Sequence, residues 1–167
     1  RKTISIIKEQ KSTMIVEAIH YNMTEGKYDS DIFTVKSKMD FDRAYEAKKH
    51  VTDYVFSDSK GERQFAEALD EANEVVVYAK LPRSFQIPTP VGNYAPDWAI
   101  AMKRNDVKHI FFIAETKGSM SSMDLSAVEK AKIDCAEKLF NSISTANVKY
   151  HKVASYQDLI DGMNAIK

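Results

Sequence analysis

The stretch "PDWAIAMKRNDVKHIFFIAETK", residues 96–117, decides the fold. Two apolar runs of strand length stand on either side of "RND", residues 104–106, and so short a polar break between them predicts a hairpin. Side chains two residues apart in a strand share a face, so Glu115 and Lys117 are expected to project together while Thr116 points away. If the strands pair about a turn near Asn105, Asp97 at the start of the first and Glu115 at the end of the second fall at one end of the sheet. A strand suited to an interior thus ends in a carboxylate and an amine, close to a second carboxylate.

Upstream, "SKGE" offers Ser59 as N-cap with Glu62 three residues on, and Phe65, Ala66, Leu69 and Ala72 follow at helical spacing. This predicts a helix over about 60–73. "EVVVYAK" then reads as a β-branched strand, and "LPRSFQIPTPVGNY", with its three prolines, as turns around a short edge strand. Downstream of Gly118 the period changes. Ser121 with Asp124 forms a second cap, and Leu125, Val128, Ala131, Cys135 and Leu139 make an apolar stripe along a helix. "VKYHKVA" supplies another strand, and Ser155 with Asp158 caps a last helix carrying Leu159, Ile160 and Met163. From Ser59 the order is helix, three or four strands, helix, strand, helix, which predicts an α/β fold with a central mixed sheet flanked by helices. Of the first fifty residues, "STMIVEAIHYN" is read as a strand and "MDFDRAYEAKKHV" as a helix.

The chain has 167 residues, 44% hydrophobic and 29% charged, enough for one ordinary core. Residues 1–50 are read as an N-terminal extension or linker and 51–167 as the domain. Formal net charge is zero, so composition gives no general attraction to polyanions, and any such binding depends on local placement of lysine and arginine. No apolar stretch is long enough to span a membrane, and "RKTISIIKEQK" is too short in its hydrophobic part for a secretory signal. A soluble, cytoplasmic protein is expected, and the first residue, Arg1, suggests a piece of a longer polypeptide. The single cysteine, Cys135, is expected to pack as a small apolar residue.

Two carboxylates and a backbone carbonyl, here that of Thr116, make a half-site for Mg²⁺, a hard cation that takes oxygen ligands and keeps several waters. A lysine beside a metal-held water can orient it or stabilise charge building on a phosphorus centre. Asp97, Glu115 and Lys117 together suit phosphodiester hydrolysis. Each also has a plainer explanation: Asp97 as a turn residue after proline, Glu115 and Lys117 as an ion pair, Glu62 as a capping residue alone. Lys80 and Arg83, with Lys103 and Arg104, are candidates for a phosphate-tracking surface. Tyr94 and Trp98 are read as core aromatics, and the four histidines lack metal-ligand spacing.

Pro96-Asp97 followed by Glu115-Thr116-Lys117 resembles the PD…ExK signature of the restriction-endonuclease-like superfamily, whose core order αβββαβ matches the order above. "VYAKLPRSFQIPTPVGNYAPDWAIAM", "IFFIAETKGSM" and "EKAKIDCAEKLF" are similar to the C-terminal nuclease domain of the restriction (Res) subunit of type III restriction-modification enzymes, over most of residues 45–160. The resemblance implies a Mg²⁺-dependent endonuclease in which Asp97 and Glu115 are metal ligands and Lys117 is the catalytic lysine. Glu62 stands where the superfamily often adds a helix glutamate. It also implies double-stranded DNA as substrate, with a motor (helicase) portion of the same subunit and a modification subunit as partners. The chain has no GxxxxGK[ST] phosphate loop, so ATP is not expected to bind. A structure- or RNA-directed nuclease of the same fold, and a non-catalytic DNA-binding or assembly module, are the rival readings.

Overall fold

A computed structural model of the chain describes His20, Tyr21, Ile32 and residues 44–113, 127–153 and 155–165. Its centre is a four-stranded sheet of β3 (Val75–Lys80), β4 (Trp98–Arg104), β5 (Val107–Ile113) and β6 (Val148–Val153), in that spatial order. The first two neighbouring pairs are antiparallel and the last is parallel. Arg104 pairs with Val107, so Asn105 and Asp106 alone make the expected hairpin turn. Asn105 takes φ 54°, the left-handed conformation that asparagine tolerates and a two-residue hairpin needs. Parallel pairing of β5 with β6 requires a long crossover, and helix α2 (Ala127–Ile143) lies within it.

Alternation along β4 and β5 sorts side chains onto two apolar faces. Trp98, Ile100, Met102 and Phe111 share a core with Phe65, Ala66 and Leu69 of helix α1 (Lys60–Glu71) and Leu159 of helix α3 (Tyr156–Ala165). On the other face Phe112 stacks on Phe140 of α2 at 4.8 Å, beside buried Ile133 and Ala136. Both faces are covered, which is why β4 begins with an almost unbroken apolar run. Cys135 is fully buried on α2, as expected of a small apolar residue.

The caps read from sequence form where the chain is described. Ser59 Oγ accepts from the Glu62 amide at 3.2 Å, and Ser155 Oγ accepts from that of Asp158 at 3.0 Å. The expected Ser121–Asp124 cap, with Leu125, lies outside the described residues. Within "LPRSFQIPTPVGNY" the edge strand shrinks to one antiparallel bridge, Ile87 with Tyr94, because the prolines lack amide donors for a longer ladder.

The N-terminal reading needs a correction. In the described part of "MDFDRAYEAKKHV" there is no helix: Ala44–Glu46 form strand β1, paired antiparallel with β2 (Tyr54–Phe56). Local helix preference in "AYEAKK" loses to backbone pairing with the strand that follows. The Asp70 carboxylate of α1 accepts from the Lys48 and Lys49 amides, both at 3.0 Å, and Tyr78 of β3 bonds Lys49 and Val51 through its amide and carbonyl. Of "STMIVEAIHYN" only His20 and Tyr21 are described, so the strand expected there lies outside the described residues.

Candidate active site

Three strand ends meet at one edge of the sheet. Lys80, the last residue of β3, pairs with Trp98, the first of β4, and Trp98 pairs with Ile113, the last of β5. Asp97 therefore stands at the edge where β5 finishes. It is half-buried at a bend just outside β4, after buried Pro96, and its carbonyl accepts from the Leu81 amide at 2.8 Å. Its charge is felt nearby: burial pushes the Tyr94 phenol well above its ordinary value, and the Asp97 carboxylate pushes it further. Tyr94 is core, as expected, and so is Trp98, whose ring lies 5.3 Å from that of Phe65.

Glu62 reaches the same edge from α1. It is 5% exposed, and its Oε2 accepts from Lys80 Nζ at 2.8 Å and from the Asp58 amide at 2.7 Å. A carboxylate so buried needs both a counter-charge and hydrogen bonds, and it has them. Lys80 Nζ also donates to the Phe56 carbonyl at 3.1 Å and to Asp58 Oδ2 at 3.3 Å. Three acceptors match the three protons of an ammonium group. The Glu62–Lys80 pair lies on the α1 side of the sheet, whereas Tyr94, on which the Asp97 charge acts, packs on the α2 side.

The structure thus gathers Glu62, Lys80 and Asp97 at one edge. Glu115, Thr116 and Lys117 lie outside the described residues. Among the described residues no group of three or more His, Cys, Asp or Glu is placed to hold a metal ion. A profile described as an endonuclease domain matches residues 48–156, well over half of the chain. The chain belongs to this endonuclease-domain family. The matched span contains Glu62, Lys80, Arg83, Asp97, Glu115 and Lys117.

This endonuclease domain is 41% identical over 92 residues to the type III restriction-modification enzyme EcoPI Res subunit of Escherichia phage P1, and equally to the EcoP15I Res subunit of Escherichia coli. Each alignment covers 54% of this chain and 9% of the relative, so the chain spans a small fraction of the length of the curated relatives it matches. No solved structure matches. The four-stranded mixed sheet with helices on both faces is the restriction-endonuclease-like arrangement expected from sequence.

The remaining candidates of the endonuclease domain are dispersed. Arg83 is exposed on the turn after Leu81, its carbonyl accepting from Gln86 at 3.2 Å. Lys103 and Arg104 belong to the hairpin end of β4, five and six residues, or about 17–20 Å, from Trp98. There they line a cavity of about 210 Å³ with Met102, His109, Phe111 and Met163, remote from Asp97. His109 Nδ1 stands 3.0 Å from His151 Nε2 behind that cavity, and burial holds both imidazoles below their ordinary value. The feature that sequence reading missed is the grip of Lys80 on Glu62. Its only trace is a lysine closing an otherwise apolar strand.

Proposed function

We propose that this chain is a Mg²⁺-dependent endonuclease domain that hydrolyses DNA phosphodiester bonds, the cleavage module of a type III restriction enzyme. The register of the β4–β5 hairpin carries the reading. With Trp98 opposite Ile113, Asp97 stands at the sheet end where β5 finishes, two residues before Glu115 in sequence. The donor chemistry at this edge fits the ion, because the carboxylates of Asp97 and Glu62 offer the oxygen ligands that a hard cation takes. Asp97, Glu115 and the Thr116 carbonyl would hold it. When bound, Mg²⁺ supplies Lewis-acid stabilisation of the charge developing on the phosphoryl group and makes a coordinated water more acidic.

The chain's own groups do the rest. Lys117 orients the attacking water and steadies negative charge on the phosphoryl oxygens. Glu62 adds a third carboxylate from the helix side, and exposed Arg83 contacts a backbone phosphate. Likeness to Res subunits supports double-stranded DNA as the substrate, and the resemblance adds a motor portion and a modification subunit as partners. The test is substitution: Asp97→Ala and Lys117→Ala each lower duplex cleavage by about a hundredfold or more while the circular dichroism spectrum stays native. Cleavage at the wild-type rate in either variant refutes the assignment. Branched DNA and RNA, assayed beside the duplex, identify the rival nuclease reading if they are cut faster.

A further inference from the structure

The geometry points to Lys80 as a positioning residue for Glu62 in the cleavage site rather than a contact to DNA phosphate, an inference that rests on the nuclease reading above. The bare expectation for a lysine at a strand end near such a site is that its ammonium meets the phosphate backbone. Here the ammonium is already engaged. Glu62, Phe56 and Asp58 take it at 2.8, 3.1 and 3.3 Å, and the Lys80 side chain is 24% exposed. An ammonium with three protein acceptors has no proton left for a phosphate oxygen unless one of those bonds breaks.

What this arrangement fixes is the Glu62 carboxylate. α1 brings Glu62 to the edge by packing Phe65 against Trp98, but packing alone leaves the carboxylate free to rotate about its side-chain bonds. Lys80 and the Asp58 amide converge on the single oxygen Oε2, so two donors from different segments pin the carboxylate at one oxygen. The backbone of Lys80 is equally tied. Its amide donates to His50 Nε2 at 2.9 Å, it pairs with Trp98, and the next amide donates to the Asp97 carbonyl. One residue thus joins β2, β3 and α1 to the backbone that carries Asp97. That is the work of a brace holding the Glu62 carboxylate at a fixed place beside the strand end that carries Asp97, and groups of this kind typically govern rate by roughly ten- to a hundredfold without touching the reacting atoms.

The test compares the wild type with Lys80→Met, Lys80→Arg, Glu62→Gln and the Glu62→Gln/Lys80→Met double variant, in the intact protein. Two quantities are read: the Mg²⁺-dependent single-turnover cleavage rate at saturating duplex DNA, and duplex affinity without divalent cation across a salt series. The inference expects Lys80→Met to slow cleavage roughly ten- to a hundredfold with affinity and salt slope unchanged, and Lys80→Arg to recover part of the rate. It also expects the double variant to be no slower than Glu62→Gln alone, since the two residues act as one unit. The double variant removes both charges together, so it remains informative if Lys80→Met folds poorly. A fall in affinity with a salt slope smaller by about one ion means a phosphate contact and overturns the inference. Multiplying rate losses in the double variant overturn it as well. A wild-type Lys80→Met beside an active parent defeats this inference alone, whereas an inert parent defeats the nuclease reading and this inference with it.

Discussion

Glu62 and Lys80 show how burial changes the worth of an ion pair. The pair has side-chain exposures of 7% and 24%, against 42% and 47% for the Glu67–Arg63 pair one turn along α1. Water screens the second pair, and its removal by Glu67→Ala is expected to cost no more than about 0.5 kcal/mol. Lys80→Met, which strands a buried carboxylate, is expected to cost about 3–5 kcal/mol. Urea unfolding of the two variants checks the contrast, and equal losses would contradict it. The same residues mark the limit of sequence reading. Glu62 is legible as a capping residue because its partner Ser59 is three positions away. Its pairing with Lys80, eighteen positions away, depends on how α1 settles on the sheet, and no local pattern encodes that.

At the scale of elements, local chemistry foretold what local chemistry stabilises. The β4–β5 hairpin was readable because a short polar break separates two apolar runs, where Asn105 then takes the left-handed turn, and α1 and α3 because their caps are contiguous in sequence. β1 was not readable, since it depends on pairing with β2 and the segment just after it is held by Asp70 from more than twenty residues downstream. Burial alone would raise the Asp70 carboxyl, but donation from the Lys48 and Lys49 amides and from the Tyr45 and Tyr78 phenols holds it below its ordinary value. Those phenols carry the reciprocal effect: burial, and then the Asp70 carboxylate, push Tyr45 up to about 12. A carboxyl lowered by folding contributes stability that is fully present above its unfolded value and disappears as pH falls through its folded one. Urea midpoints measured from pH 7 down to about pH 2 should therefore drop in the acid range, and Asp70→Asn should lower the neutral midpoint and flatten that drop. An unchanged acid profile in Asp70→Asn would show that the loop 47–51 is held by other means. On the opposite face, Phe140, 2% exposed and stacked on Phe112, is expected to cost about 3–5 kcal/mol as Phe140→Ala, whereas Val76→Ala at an exposed β3 position stays within about 0.5 kcal/mol.

For the whole molecule, the fold is a device for bringing chain segments distant in sequence to one sheet edge. Two apolar faces, covered by α1 with α3 and by α2, fix the sheet, and the hairpin register then decides what stands beside Asp97. Among the described residues no helix is long and apolar enough to cross a membrane. Membership of the endonuclease-domain family fits this layout, and the proposed chemistry adds a divalent ion between acidic groups contributed by neighbouring strands. If so, a chelator abolishes cleavage and restored Mg²⁺ returns it. The most direct measurement is a crystal structure of the protein soaked in Mn²⁺, with the ion located by its anomalous scattering. The account predicts a peak held by the carboxylates of Asp97 and Glu115, with the Lys117 ammonium directed at the same point. Carboxylates turned to opposite sides of the sheet, with no ion between them, would contradict it.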